Sequence, residues 1–176
     1  MENNIQRSAL IVVDMQKVFI NDQTKKVLER IKTFLTRKDR LFSCVIGTQY
    51  VNNKNTACYQ YEGWKECMEG EEETEICPEL INFMDYIVKK DKYTCYTEDF
   101  LKILKDNHIN KVYFCGVNTG CCVLHSVLDC YENIIDCYVI EDLCGSTSGE
   151  HYHDISIDLL GTLITKERIV TSKGLD

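Results

Sequence analysis

Short apolar runs alternate with longer amphipathic segments along this chain, and that alternation restricts its fold more than any other feature. Residues 9–13 are all apolar and predict a buried strand, and residues 23–36 carry apolar positions spaced as on one helix face. We predict further strands at 42–46, 86–88, 112–115 (stopped by Gly116), 137–140 and 169–171, and further helices at 98–106, 120–132 and 150–165. Repeated strand–helix units predict a three-layer α/β fold with a mainly parallel sheet between two layers of helices.

The length of 176 residues suits one domain, and neither a linker-like stretch nor an internal repeat divides it. We therefore predict a single domain over residues 1–176. Residues 49–77, here called the 49–77 excursion, interrupt the pattern, and connections of this length often form lids or subunit contacts. Its lone Trp64 is expected to anchor the excursion by packing rather than to hold a ligand, and its acidic residues 69–75 are expected to face solvent.

The charge and the cysteine content exclude several classes of protein. With 20 Lys and Arg against 28 Asp and Glu, the net charge of −8 repels phosphate backbones, so we expect no nucleic-acid partner. No apolar stretch approaches the roughly 20 residues of a membrane span, and the N-terminus lacks the apolar core of a secretory signal. We therefore expect a cytoplasmic protein with no membrane partner. Eleven cysteines without a Cys-x-x-Cys pair are expected to be mostly reduced and buried.

Chemistry-bearing residues follow three of the predicted strands, at the edge where parallel sheets place their ligand sites. Asp14 comes directly after the first strand, and Lys89 and Lys90 come directly after the third. Residues 116–122 (Gly-Val-Asn-Thr-Gly-Cys-Cys) form a tight turn between a strand and a helix. Taken alone, the aspartate could equally be a helix cap or a turn residue, and the lysines fit an exposed basic turn better than a functional site.

Of the two cysteines in that turn, Cys122 is the better candidate for a nucleophile. On a helix Cys122 shares a polar stripe with His125 and Asp129, whereas Cys121 shares an apolar stripe with Leu124 and is expected to pack in the core. A thiol in the first helical turn also meets the positive end of the helix dipole and unpaired backbone N–H groups. These lower its pKa and can bind an oxyanion.

These segments, in this order and over nearly the whole chain, resemble the isochorismatase-like cysteine hydrolase superfamily. Residues 10–16 (Leu-Ile-Val-Val-Asp-Met-Gln) look like its opening strand, and residues 88–96 resemble the segment in which a lysine precedes an aromatic residue by three positions. Residues 116–123 resemble its Gly-Val-x-Thr-x-x-Cys turn, and residues 140–151 resemble the exit of its fifth strand. The resemblance implies a Rossmann-like fold with a six-stranded parallel sheet, and a homo-oligomer.

Carried over by position, the resemblance implies a catalytic triad of Asp14, Lys90 and Cys122. Asp14 would accept the thiol proton, Lys90 would offset the negative charge, and Cys122 would attack a carbonyl or imine carbon. Backbone N–H groups near Asn118 and Cys122 would hold the oxyanion, next to a cis peptide bond before Asn118. We expect a covalent thioester intermediate on this pathway.

Gln16, Phe19, Tyr50 and Tyr96 are candidates for the substrate pocket, although each could equally be an ordinary packing residue. Nicotinamidases of the superfamily carry an Asp-x-His metal motif after the second strand, where this chain has Thr-Gln-Tyr-Val-Asn-Asn at residues 48–53. We therefore expect neither a metal ion nor another cofactor.

The function expected from these residues is metal-independent hydrolysis of a small-molecule substrate, with an amide C–N bond as the first candidate. Two alternatives stay open. A catalytically inactive member of the superfamily would use the same surface for ligand binding or assembly. A redox or metal-storage protein would instead use the many cysteines.

Overall fold

The computed structural model describes residues 7–37 and 41–175. Residues 1–6, part of the N-terminus in which no secretory signal is predicted, lie outside this part of the chain. The strands are β1 (Ser8–Val13), β2 (Cys44–Tyr50), β3 (Tyr86–Lys90), β4 (Lys111–Val117), β5 (Asp136–Gly145) and β6 (Ile169–Val170). Among the described residues they form a six-stranded sheet in the order β3-β2-β1-β4-β5-β6, and every pair of neighbours is parallel.

Helices cover the sheet and complete the three-layer α/β fold, as predicted. They are α1 (Lys25–Leu35), α2 (Ala57–Tyr61), α3 (Pro78–Ile81), α4 (Glu98–Asp106), α5 (Leu124–Glu132) and α6 (Glu150–Leu163). A π-helical turn at Thr119–Val123 leads directly into α5. Within the described ranges, no helix combines the length and the apolar character that crossing a membrane requires.

Strand β1 forms the centre of the core, because it lies between β2 and β4 and is covered on both faces. Ala9 through Val13 are completely buried, as expected for an apolar run in a parallel sheet. Complete burial of a side chain such as Leu10 or Ile11 stabilises the fold by about 1.5–3 kcal/mol. This strand ends just before Asp14 and therefore fixes that residue at the carboxyl edge of the sheet.

Strands β4 and β5 run further than the sequence pattern predicts. β4 continues through Gly116 to Val117 instead of stopping at the glycine. Gly116 has a φ of +111° and pairs with Val13, and a Cβ atom on it would collide with the Val13 carbonyl oxygen. The glycine is therefore needed for the close approach of β4 to β1 and does not end the strand. β5 extends to Gly145, beyond the predicted end at residue 140.

The 49–77 excursion is folded and packs against the sheet through its aromatic residues. Strand β2, which begins and ends later than predicted, carries Tyr50 into this region. Trp64 anchors the excursion as expected, because its ring stacks on Tyr50 at 5.9 Å and lies 6.1 Å from Phe19, centre to centre. Most of the acidic residues 69–75 are exposed, also as expected.

Candidate active site

The carboxyl edge of the sheet brings together the three side chains of the predicted triad. Asp14 follows β1, Lys90 is the last residue of β3, and Cys122 lies in the π-helical turn after β4. The Lys90 ammonium lies 2.7 Å from the Asp14 carboxylate, with side chains only 1% and 0% exposed. The Cys122 thiol lies near this ion pair, since both Asp14 and Lys90 act on its pKa.

Both oxygens of Asp14 are engaged, so its orientation is fixed. The Thr48 hydroxyl donates to one oxygen at 2.5 Å and accepts a bond from the Asp14 backbone N–H at 3.1 Å. The other oxygen accepts from Lys90. Asp14 also has a φ of +46°, a left-handed conformation that is uncommon outside glycine. Sequence analysis missed Thr48, since the predicted second strand stopped at residue 46; a longer strand would have placed Thr48 at the same edge.

Lys90 is held by three acceptors, which matches the three protons of its ammonium group. Besides the Asp14 carboxylate, the backbone carbonyls of Lys92 and Tyr93 accept hydrogen bonds at 3.1 Å each. Burial is the largest effect and disfavours the charged ammonium, but Asp14, together with Cys122 and Cys95, outweighs it and raises the pKa of Lys90. The lysine is therefore a fixed positive charge at this edge of the sheet.

The surroundings of the Cys122 thiol favour its protonated form. Burial raises the pKa of Cys122 well above its ordinary range, and the charge and hydrogen bond of Asp14 raise it further, while Lys90 opposes them. The expectation that the helix N-terminus lowers this pKa is therefore wrong, because desolvation outweighs the helix dipole. A thiolate at this position requires a proton acceptor, and Asp14 is the nearby carboxylate that acts on this thiol.

The turn before α5 differs from the regular helix assumed in the sequence analysis. The Val117–Asn118 peptide bond is cis, as the resemblance implied. The N–H groups of Cys121 and Val123 both donate to the Asn118 carbonyl, at 3.0 and 3.2 Å. Because a π-helical turn shifts side chains off the α-helical stripes, Cys121 is exposed while Cys122 is buried. The prediction that Cys121 packs in the core is therefore wrong.

A second hydrogen-bonded link, which sequence analysis missed, joins this turn to α6. The buried Thr119 hydroxyl donates to the Gly145 carbonyl at 2.9 Å and lies 2.8 Å from Nδ1 of His153. A hydroxyl has one proton, and the carbonyl takes it, so Nδ1 of His153 is the donor to Thr119. Burial lowers the pKa of His153, which is consistent with a neutral imidazole.

A cavity of about 300 Å³ opens beside the candidate nucleophile. Its walls combine aromatic residues with the turn before α5: Phe19, Tyr50, Cys58, Glu62, Trp64, Tyr93, Asn118, Cys121 and Cys122. A second cavity of about 260 Å³ adjoins it and shares Tyr50, Cys58 and Tyr93 as walls. Phe19 and Tyr50 therefore line the cavity, as predicted for pocket residues.

The other two predicted pocket residues do not line either cavity. Gln16 is fully buried, and its amide donates to the backbone carbonyls of Tyr50 and Thr74 at 2.9 and 2.7 Å. Its carbonyl oxygen accepts from the Tyr50 N–H at 2.8 Å. Tyr96 packs against the hydrophobic core. Gln16 therefore fixes the backbone of Tyr50, and Tyr96 contributes to packing.

The residues that replace the nicotinamidase metal motif do not fit a metal ion. The Asn52 amide donates to the carbonyls of Trp64 and Glu66, and its oxygen accepts from the Thr56 hydroxyl. Tyr50 presents a ring stacked on Trp64. Across residues 7–37 and 41–175, no group of three or more His, Cys, Asp or Glu side chains is arranged to hold a metal ion.

Comparisons with known proteins agree with this architecture. A family model described as the isochorismatase domain matches residues 8–168. A search of curated proteins finds no match. Among solved structures, an isochorismatase-like hydrolase from Alkaliphilus metalliredigens is 20% identical, with a TM-score of 0.82 and 96% of each chain covered.

Two amidases are also among the similar structures. The nicotinamidase/pyrazinamidase from Acinetobacter baumanii is 21% identical, with a TM-score of 0.80 over 98% of this chain and 100% of that one. The pyrazinamidase of Pyrococcus horikoshii, solved in complex with zinc, is 21% identical, with a TM-score of 0.77 over 94% of this chain and 98% of that one. At these identities the likeness shows the fold.

Proposed function

The chain belongs to the isochorismatase family, and from this premise we propose that it is a metal-independent cysteine hydrolase that cleaves an amide C–N bond in a small molecule. Family membership supports a hydrolase. The observation that carries the finer proposal is the buried Asp14–Lys90 ion pair at 2.7 Å, next to a Cys122 that lines an open cavity. These three groups supply a base, a fixed positive charge and a nucleophile.

Asp14 takes the Cys122 proton as the sulfur bonds to the carbonyl carbon, and the carbonyl oxygen gains the negative charge. Because the pKa of the resting thiol is raised, proton transfer and attack occur together rather than from a stored thiolate. Lys90 keeps a positive charge 2.7 Å from Asp14 throughout. Backbone N–H groups of Asn118 and Cys122 are the proposed donors to the oxyanion.

Breakdown of this intermediate breaks the C–N bond and leaves a thioester on Cys122. The protonated Asp14 gives its proton to the leaving amine. A water molecule then loses a proton to Asp14 and attacks the thioester carbon, and the C–S bond breaks. The carboxylic acid leaves, and the sulfur of Cys122 recovers its proton, which restores the resting site.

The shape of the cavity favours a small, planar acyl group. Phe19, Tyr50, Trp64 and Tyr93 give it aromatic walls, and a volume of about 300 Å³ limits the substrate to a small molecule. The names of the similar nicotinamidase and pyrazinamidase structures make heteroaromatic amides the first compounds to test.

The proposal is tested by comparing Cys122→Ala with the wild-type protein on a panel of small amides, ureides and isochorismate. Loss of all turnover with an unchanged circular dichroism spectrum is the expected result. Cys77→Ala is the matched control, because Cys77 is also buried but lies outside the cavity. Turnover by Cys122→Ala would refute the assignment of the nucleophile.

A ligand-binding member without catalysis is the second candidate, and the burial of Cys122, which raises the pKa of its thiol, favours it. Such a protein would bind compounds of the panel in the same cavity and release them unchanged. Wild-type turnover measured alongside binding separates the two functions.

A further inference from the structure

The hydroxyl of Tyr50 is a buried polar group with no hydrogen-bond partner among the described residues. Tyr50 is only 3% exposed, so bulk water does not satisfy the hydroxyl. An unpaired buried hydroxyl destabilises a fold, and phenylalanine would fill the same space without that penalty. A tyrosine here therefore calls for a partner that residues 7–37 and 41–175 do not supply.

The position of this ring is fixed, and it faces the candidate active site. Tyr50 lines the cavity that contains Cys122 and also the adjoining cavity. Gln16 holds its backbone through two hydrogen bonds of 2.8 and 2.9 Å, and Trp64 stacks on its ring. A small molecule attacked by Cys122 would therefore lie beside a tyrosine that is held in place by the fold.

The polar groups nearest the hydroxyl are already occupied. Thr56 and Cys58 lie close enough to influence the pKa of Tyr50, yet neither bonds to its hydroxyl in ordinary geometry. Thr56 donates to Asn52, and the Cys58 thiol lies 3.8 Å from the hydroxyl of Tyr93. Burial raises the pKa of Tyr50, so the phenol stays protonated and can donate a hydrogen bond.

Building on the proposed function, we infer that the Tyr50 hydroxyl is a specificity-determining group for the substrate. It donates a hydrogen bond to a neutral acceptor, such as a ring nitrogen or carbonyl oxygen, on the part of the substrate away from the scissile bond. Small amides that carry such an acceptor are the substrate class. An analogue without the acceptor leaves the hydroxyl unpaired and binds more weakly.

Trp64 gives a direct measurement, because it is the single tryptophan of the chain and lines the cavity beside Tyr50. Pyridine-3-carboxamide, pyridine-4-carboxamide and benzamide have nearly the same shape, and only the first two carry a ring nitrogen. Each is titrated into Cys122→Ala protein, which excludes turnover, while Trp64 fluorescence is recorded. We expect at least one pyridine amide to bind about threefold to tenfold more tightly than benzamide.

Adding Tyr50→Phe to this protein should remove the preference and leave benzamide binding unchanged. Tyr96→Phe is the matched control and should keep the preference, because Tyr96 lines neither cavity. Equal binding of all three compounds, binding of none, or a preference that survives Tyr50→Phe would overturn the inference.

Stability provides a second readout that needs no ligand. Tyr50→Phe in the otherwise unchanged chain should unfold at the same urea concentration as the parent or at a higher one, since no internal hydrogen bond is lost. A clearly lower midpoint would reveal an internal partner and overturn the inference.

Turnover by the wild-type protein is measured separately. If the protein hydrolyses none of the amides but its binding preference depends on Tyr50, the proposed hydrolase function is refuted and the role of Tyr50 in ligand recognition is kept.

Discussion

The Asp14–Lys90 ion pair places two opposite charges in the protein interior, where neither would be stable alone. Both side chains are almost completely buried, and their remaining hydrogen-bonding capacity is taken up by Thr48 and by backbone carbonyls. A buried pair of this kind contributes little net stability compared with apolar residues, but breaking it leaves one charge uncompensated. Its presence is therefore better explained by chemistry than by folding.

Replacing Lys90 with methionine should destabilise the fold by about 3–5 kcal/mol, because the Asp14 carboxylate is left buried without its cation. Urea denaturation measures this loss. The double variant Asp14→Asn with Lys90→Met should recover part of it, since no unpaired charge remains. Additive losses in the double variant would contradict the account of the pair.

Alkylation of Cys122 by iodoacetamide should rise steadily from about pH 7 to about pH 9, because only the thiolate reacts and the pKa of this thiol is raised. Asp14→Asn should speed the reaction at a given pH, and Lys90→Met should slow it, since the two charges move the pKa in opposite directions. The labelled peptide is quantified by mass spectrometry in a Cys121→Ser background, because Cys121 is exposed. An alkylation rate that stops rising below about pH 8 would show that Cys122 is already a thiolate there and would contradict this prediction.

The segments that hold the candidate triad stood out in the sequence because each follows a recognisable apolar strand, and the family resemblance then implied Asp14, Lys90 and Cys122. The state of the thiol could not, since burial of Cys122 arises from packing between segments far apart in the chain. His153 was missed for the same reason, since a histidine in a helix carries no signal until its partner is in place, whereas Thr48 was missed because the predicted second strand ended too early.

Strand β4 reaches the site only because Gly116 lets it pass close to β1. Gly116→Ala should destabilise the protein by more than about 1–3 kcal/mol, the usual range for a strained backbone, since a Cβ atom also collides with the Val13 carbonyl. Gly70→Ala is the matched control: Gly70 also has a positive φ, of +84°, but no atom lies within 4 Å of its Cβ position. Equal losses in urea denaturation would contradict the role given to the collision.

The hydrogen bond between His153 on α6 and Thr119, in the turn before α5, predicts that the stability of the protein depends on pH. In the unfolded chain His153 gains a proton near pH 6.5, whereas burial lowers its pKa in the folded protein. The native state should therefore lose stability as the pH falls below about 6.5, until the folded pKa is passed. The charged groups that also act on this histidine are Asp154, Arg30, Glu141 and Glu150.

The variant His153→Gln keeps an N–H donor for Thr119 but does not titrate. It should therefore lack the loss of stability that protonation of His153 causes. Denaturation midpoints at about pH 8 and about pH 5.5 measure the difference. His151→Gln, an exposed position on the same helix, is the control and should behave like the parent. A pH dependence that is unchanged in His153→Gln would contradict the link.

Apolar patterning predicted the type and order of the secondary-structure elements better than their ends. Helix α4 has the predicted bounds, because its apolar face and its Thr97 cap are both local features. The ends of β4 and β5 depend instead on pairing with neighbouring strands. Gly116, which was predicted to end β4, instead allows β4 to pack closely against Val13. The π-helical turn has no local signature, which is why Cys121 and Cys122 exchanged their expected environments.

At the level of the whole chain, the repeated strand–helix pattern was enough to predict a parallel sheet with its ligand site at the carboxyl edge. The position of the cavity depends on the 49–77 excursion, whose Trp64 packs between the sheet edge and the pocket. That arrangement lacks sequence periodicity and could not be predicted. We expect a homo-oligomer from the resemblance, and sedimentation equilibrium tests that expectation.

The mechanism depends on a covalent bond between the acyl group of the substrate and the sulfur of Cys122. The most direct measurement is mass spectrometry of the protein quenched in acid while it turns over the best amide of the panel. We predict a mass increase equal to the acyl group on the peptide that contains Cys122, which hydroxylamine removes and Cys122→Ala lacks. Turnover without such an adduct, or with the adduct on Cys121 alone, would contradict the mechanism.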